Sequence, residues 1–138
     1  MCSRARVLGP GPKSAAGRVR IAAVDDGNIC LSLVRSAGDL GAVFEWDGAT
    51  GYFYLCATAP GVAPRIMSHI HIVSDQRVFA AQDLELRWDA DECVVGLLIR
   101  GRPWAAFDAT SGNEFGGNYS AAGDPDIPLR LQAALMRQ

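Results

Sequence analysis

The chain has 138 residues, of which 49% are hydrophobic and 20% are charged. This length predicts one domain, and the composition is that of an ordinary globular protein. No stretch approaches the ~20 consecutive apolar residues that a membrane-spanning helix needs. The first residues also lack the apolar core of a secretory signal. The sequence therefore predicts a cytoplasmic protein that makes no contact with a membrane.

Charge is distributed unevenly along the chain. The net charge is −2, but the first 20 residues carry five cations and no acid. The remaining residues carry eight cations and fifteen acids, so the body of the protein is acidic. Because contacts to phosphate need cations, this charge argues against nucleic-acid binding by the folded domain. An acidic body instead suits a protein partner with a basic surface.

The chain is organised as an N-terminal arm followed by one domain. Residues 1–17 are rich in Gly, Pro, Ala and Ser and show no hydrophobic periodicity, which predicts a disordered basic arm. Residues 18–138 are expected to form a single domain. It would begin with a hairpin, because RVRIAAV and ICLSLV flank Asp26-Gly27-Asn28. Residues of these types tolerate the positive φ of a tight turn.

Short apolar strands separated by turn residues fill the next part of the chain. Residues 42–46 and 52–57 flank DGATG, which predicts a second hairpin. A loop with two prolines is expected over 58–64, followed by a strand over 66–73. A further loop, with room for one helical turn, is expected over 74–83.

The second half of the chain continues this pattern. Leu84, Leu86 and Trp88 alternate with Glu85, Arg87 and Asp89, which is typical of a strand with one face in water. The run from 93 to 99 is apolar on both faces and predicts a central strand. A strand over 104–108 and a short edge strand near 114–119 would follow.

The C-terminal residues predict a helix. Asp124 or Asp126 would cap it, and Ile127, Leu131 and Leu135 would form its apolar stripe. Together these elements predict an α+β fold. We expect a single antiparallel, meander-like sheet of about five to seven strands, packed with the C-terminal helix.

The cysteines and histidines are the candidate metal ligands of this sequence. Cys30, Cys56 and Cys93 lie inside apolar strand patterns without CxxC spacing, which predicts buried free thiols. His69 and His71 would share one sheet face, a geometry that zinc and copper sites use. The spacing nominates no third ligand among Asp108, Glu85 and Cys56. We therefore expect no metal or other cofactor, and the histidine pair is the one metal candidate.

The sequence lacks the common signatures of catalysis. It contains no GxSxG, no P-loop and no HExxH. Acids lie at strand ends and turns, where solvated acids are common: Glu45, Asp47, Asp89, Asp91 and Glu92. These features favour a protein without catalytic activity. A carboxylate pair could still serve a small hydrolase, with Asp108 and Glu114 as the residues to test.

Aromatic residues cluster around the DGATG turn. Adjacent Tyr52 and Phe53 must point to opposite sides of a strand, so one ring leaves the principal core unless a helix covers it. An exposed aromatic beside acids is typical of a protein-binding hot spot. The predicted partner-binding residues are Glu45, Trp46, Asp47, Tyr52 and Tyr54.

The segment FEWDGATGYFYLC resembles an uncharacterised family of small bacterial proteins. Their usual pattern is an acidic turn followed by TGYFYA, matched here by residues 50–54, with an AxFD strand matched by Ala106-Phe107-Asp108. The resemblance covers roughly residues 42–110. It implies a small α+β domain and carries no established activity. Small proteins of this kind are similar in style to immunity proteins of polymorphic toxin systems.

Three functions follow as hypotheses. The leading one is a non-enzymatic, immunity-like module that binds a basic, toxin-like protein through an acidic, aromatic face. The alternatives are a small-molecule or metal-binding domain that uses His69 and His71, and a small hydrolase with a carboxylate site. Exposed sheet edges also allow a homodimer.

Overall fold

The computed structural model describes residues 20–25, 28–72, 81–120 and 123–137, with the backbone alone given for 20–25 and for Ala81. Nine strands, one short 3-10 turn (Ala81–Asp83) and one helix are present in this part of the chain. The strands are β1 (Arg20–Asp25), β2 (Asn28–Val34), β3 (Leu40–Trp46), β4 (Gly51–Ala59), β5 (Val62–Ile72), β6 (Leu84–Trp88), β7 (Val94–Ile99), β8 (Arg102–Asp108) and β9 (Glu114–Gly116). The helix is α1 (Leu129–Met136). The predicted arm over residues 1–17 lies outside the described residues.

The strands form two antiparallel meanders. One sheet has five strands in the order β1-β2-β3-β4-β5, and the other has four in the order β6-β7-β8-β9. The α+β class is thus supported, but the prediction of a single sheet was wrong. Each hairpin follows from local alternation and turn residues. The division into two sheets arises because β5 and β6 do not pair with each other. Whether two such strands pair is not encoded in any local pattern.

The two sheets enclose the main hydrophobic core. The five-stranded sheet contributes Phe44, Phe53 and Ile72, and the four-stranded sheet contributes Trp88 and Phe107. The Phe53 and Phe107 rings lie 4.9 Å apart between centroids. Burial of such large rings is the main stabilising contribution to a domain of this size.

The helix covers the other side of the four-stranded sheet. Leu131 and Leu135 pack with Val94, Ala106 and Ile127 in a second, smaller core. Of the predicted apolar stripe, Leu131 and Leu135 face this core from the helix, whereas Ile127 packs there from the residues before it. The central position of β7 was predicted correctly, because this strand is buried on both faces. No helix in the described part of the chain is both long and apolar enough to cross a membrane.

The helix begins later than its sequence signals indicate. It starts at Leu129, with Pro128 in the capping position and no side-chain cap, so neither Asp124 nor Asp126 caps it. At its other end the buried Arg87 donates from Nη1 to the Leu135 carbonyl at 3.0 Å. The predicted wet face of β6 is thus partly covered, because Arg87 is only 7% exposed.

Two further expectations were wrong. The predicted loop over 58–64 is a tight turn, because β4 runs to Ala59 and β5 begins at Val62. Cys30 and Cys56 are free thiols, as expected, but only Cys56 is buried and Cys30 is half-buried. Cys93 is disulfide-bonded, and it is half-buried rather than buried.

Candidate functional site

The side of the five-stranded sheet that points away from the core, here called the outer face, carries a row of functional side chains. Strand register places Cys30 beside Glu45, Glu45 beside Tyr52, and Tyr52 beside His71. This row follows from alternation, because the neighbouring residues on the same strands point into the core. Glu45, Tyr52 and His71 are exposed, and Cys30 is half-buried.

Tyr52 is the centre of an aromatic group on the outer face. Its ring stacks on His71 with centroids 4.7 Å apart and planes 16° apart. It also stacks at 6.0 Å on Tyr54, the next outer residue of β4. His69 meets the same ring edge-on at 5.9 Å. The prediction that Tyr52 and Phe53 point to opposite sides is confirmed, because Tyr52 is 37% exposed and Phe53 is fully buried.

The β3–β4 turn orients His71. Thr50 Oγ1 donates to the Ile72 carbonyl at 2.9 Å and lies 2.6 Å from His71 Nε2. A hydroxyl has one proton to donate, so His71 Nε2–H is the donor to Thr50. The turn itself is held by Asp47, whose Oδ1 accepts from the Ala49 and Thr50 amides at 2.9 Å each.

A glycine is required where this turn enters β4. A Cβ on Gly51 would lie 2.5 Å from the Glu45 carbonyl oxygen and 3.0 Å from the Trp46 and Phe44 rings. Contacts below 3 Å are essentially never tolerated. The close approach of β3 and β4 at Gly51 brings the Glu45 and Tyr52 side chains next to each other.

An open cavity of about 320 Å³ lies at this end of the outer face. Two carboxylates contribute to its wall, Glu45 and Asp47, and among the described residues that line it there is no cation. The lining residues are Asn28, Ile29, Cys30, Glu45, Trp46, Asp47, Thr50, Gly51 and Tyr52.

Ionisation in and beside the cavity is set mainly by burial and by Glu45. Burial, and then the Glu45 charge, raise the pKa of the Cys30 and Cys56 thiols. Burial, and then the Glu45 charge, also raise the pKa of Tyr54. The turn amides of Thr50 and Ala49 lower the pKa of Asp47. At neutral pH the two thiols are therefore protonated, and protonated thiols are weak nucleophiles.

The structure brings together most of the predicted partner-binding residues. Glu45, Trp46, Asp47 and Tyr52 line the cavity, and Tyr54 contacts the Tyr52 ring. Trp46 differs from the others because its side chain is only 2% exposed and packs in the main core.

Sequence reasoning missed three polar members of the cavity wall, namely Asn28, Cys30 and Thr50. The first two belong to β2, and only the pairing of β2 with β3 places them there. Thr50 lies in the predicted DGATG turn, but its bond to the Ile72 carbonyl depends on the pairing of β4 with β5.

The histidine pair does not form a metal centre with the described residues. No three His, Cys, Asp or Glu side chains in this part of the chain are arranged to hold a metal ion. Of the three suggested ligands, Glu85 pairs with Arg87 on the other sheet. The oxygen of Asp108 accepts from the Thr110 and Ser111 amides.

Two of the acids noted at strand ends and turns also have structural partners. Asp89 Oδ1 accepts from the Cys93 and Val94 amides, as Asp47 does in its own turn. Glu92 accepts from the Ser36 amide and hydroxyl. These bonds explain why acids occur at the strand ends without any reference to catalysis.

Comparison with known proteins gave two matches. A family model described as "Uncharacterized protein conserved in bacteria (DUF2251)" matches residues 26–124. An uncharacterized protein of Haemophilus influenzae is 41% identical over 68 residues, which cover 48% of this chain and 42% of that protein. The match thus spans less than half of that relative's length. No solved structure matches the chain.

Proposed function

The chain belongs to the family of uncharacterized bacterial proteins whose model matches residues 26–124, and we propose that it is a protein-binding module that recognises a basic partner. The outer face of the five-stranded sheet is the recognition surface. The partner is a protein with a basic patch, and an immunity-like role against a toxin-like protein is the setting that we favour.

One observation carries this proposal: in the part of the chain that the structure describes, the wall of the cavity at the end of the outer face has two carboxylates and no cation. A surface of one charge sign steers partners of the opposite sign and disfavours those of the same sign. The exposed Tyr52 beside these acids supplies a rigid ring with a large contact area. Tyrosine is among the residues most enriched in binding hot spots.

The outer face is also suited to binding because its side chains are already ordered. Tyr52 is stacked on both His71 and Tyr54, and His71 is fixed by Thr50. Side chains held before binding lose less conformational entropy when a partner arrives. Burial raises the pKa of the Cys30 thiol, and a protonated thiol is a weak nucleophile. This property of Cys30 supports binding over nucleophilic catalysis.

The proposal can be tested by co-expressing the protein with the products of its neighbouring genes. A stable complex with one basic product is expected. The affinity should fall at least about tenfold in Glu45→Gln and Tyr52→Leu, because charged and aromatic anchors commonly contribute more than ~1.4 kcal/mol. Binding should also weaken as salt is raised.

Glu114→Gln is the matched control, because it makes the same charge change at an exposed position on β9, in the other sheet. It should leave the affinity unchanged. The proposal would be wrong if the outer-face variants bound as well as this control, or if the partner proved to be acidic.

A further inference from the structure

We propose that the cavity on the outer face holds one arginine side chain of the partner, with Glu45 as its counter-ion and Tyr52 as its stacking platform. This inference rests on the proposed function, and it names the group that would anchor the complex.

The charge of the cavity selects a cation. Glu45 and Asp47 both contribute to the wall, with no Lys or Arg among the lining residues that the structure describes. The Glu45 side chain is exposed. A carboxylate has about four acceptor sites on its two oxygens, so Glu45 keeps capacity to accept from a ligand.

The order of residues across the sheet gives the cation a place beside the Tyr52 ring. His71, on β5, stacks on one side of this ring. Glu45, on β3, lies across the strand pair on the opposite side, and Tyr54 lies along β4 with its ring centroid farther away, at 6.0 Å. The cavity is lined by both Glu45 and Tyr52, so a cation inside it would lie between a carboxylate and an aromatic side chain. Cations within about 6 Å of an aromatic ring centroid are attracted to the ring face.

The geometry favours arginine over lysine. A guanidinium is planar, so it can stack on a ring while its edge donates two parallel hydrogen bonds to a carboxylate. An ammonium is compact and strongly hydrated, and it gains less from a ring beside a single carboxylate. A volume of about 320 Å³ is at the lower end of ligand cavities. It therefore suits one side chain better than a larger cofactor.

The probes for this inference are three capped amino acids that differ in their end groups. Nα-acetyl-arginine amide carries a guanidinium, the corresponding lysine amide carries an ammonium, and the citrulline amide is a neutral isostere of arginine. Each would be titrated into isotopically labelled full-length protein and followed by amide chemical shifts in NMR spectra.

We expect the arginine amide to shift the amides of Glu45, Gly51 and Tyr52. The lysine amide should bind several-fold more weakly, and the citrulline amide should not bind. Glu45→Gln should weaken arginine binding about tenfold or more, which corresponds to one charge-assisted hydrogen bond. Glu114→Gln should bind arginine as the unchanged protein does.

Three results would overturn the inference: equal binding of arginine and citrulline, equal binding of arginine and lysine, or shifts confined to another surface. If Glu45→Gln fails to fold, the comparison of the three probes on the unchanged protein still decides the matter. A basic partner that binds the outer face while none of its Arg→Gln variants loses affinity would reject the arginine anchor and leave the proposed function intact. Arginine binding at the cavity without any basic protein partner would support the arginine site and reject the proposed function.

Discussion

Cys30 and Cys56 show how a single carboxylate sets the chemistry of its neighbours. Both thiols lie on the outer face, and burial followed by the charge of Glu45 raises the pKa of each. The pKa of Tyr54 is raised by the same two causes, burial first and then the charge of Glu45. Burial and Glu45 therefore act in the same direction on all three groups, and each of them resists deprotonation more than an exposed group would.

This arrangement predicts slow thiol chemistry that depends on Glu45. Only the thiolate reacts with a disulfide reagent, so Cys30 should react more slowly than an exposed cysteine at mildly alkaline pH. Glu45→Gln removes the nearby charge, lowers the pKa of the Cys30 thiol and should increase its rate. The increase will be partial, because burial is the larger cause of the shift.

The measurement is the rate of thiol modification followed by absorbance, with Cys30→Ser to assign the signal. Glu114→Gln serves again as the charge-matched control and should leave the rate unchanged. A Cys30 rate that is insensitive to Glu45→Gln would show that burial alone sets its reactivity.

At the level of elements, the packing of α1 on β7 depends on the close approach of Leu135 to Gly96. A Cβ on Gly96 of β7 would lie 2.4 Å from Leu135 Cδ1. Leu135 is fully buried, so its side chain fills the space that any residue larger than glycine would need. The helix is only eight residues long, too short to be stable alone, so this packing holds it in place.

A double-mutant cycle tests this contact. Gly96→Ala should destabilise the fold by about 1–3 kcal/mol through overpacking, and Leu135→Ala by about 2–5 kcal/mol through the cavity that it leaves. The combined variant should lose less than the sum, because the added methyl group occupies part of the vacated space. Free energies of unfolding from urea titrations would measure the cycle.

Leu131→Ala is the control for this cycle. Leu131 is equally buried in the same helix, but the atoms closest to Gly96 belong to Leu135 and Ala105. Its cost should add to that of Gly96→Ala within experimental error. An additive result for Leu135 as well would show that the helix moves away from β7 rather than repacking on it.

The elements also show which parts of the structure a sequence can predict. The all-apolar run of β7 and the alternation around Tyr52 are local, so the central strand and the outer aromatic face were predicted. The helix start was missed because two acids and two prolines offer competing caps before Leu129. The burial of Arg87 was missed because its partner is the Leu135 carbonyl, far along the chain. Likewise the cavity needs β2 to lie beside β3, a pairing that alternation alone does not specify.

For the whole molecule, a buried polar contact joins the two sheets at one end. Arg35, in the β2–β3 turn, donates from Nη1 to the Glu92 carbonyl at 2.9 Å, in the β6–β7 turn. The Glu92 carboxylate accepts in return from the Ser36 hydroxyl at 2.7 Å. Arg35 and Glu92 are each only 8% exposed. Buried charges are costly unless they are fully hydrogen-bonded, so this contact fixes how the sheets meet.

Asp39 completes this contact and gives it a dependence on pH. Arg35 donates to both carboxylate oxygens of Asp39, at 2.7 and 2.8 Å, and this bond is the main reason why the pKa of Asp39 is lowered. An unfolded Asp has a pKa of about 3.9. Because the folded value is lower, the ionised carboxylate stabilises the fold above about pH 4. That stabilisation is lost as pH falls through the folded pKa.

We therefore expect Asp39→Asn to reduce the free energy of unfolding by about 1 kcal/mol or less at pH 7, since its side chain is 51% exposed and partly screened by solvent. The difference between the unchanged protein and the variant should shrink at acidic pH, because the unchanged carboxyl is then protonated and cannot accept from Arg35 as an ion. Urea titrations at several pH values would measure this difference, and Asp126→Asn, at another exposed carboxyl, would control for the loss of one charge. A difference that stays constant from neutral to acidic pH would show that the hydrogen-bond geometry of Asp39, and not its charge, holds the two turns together.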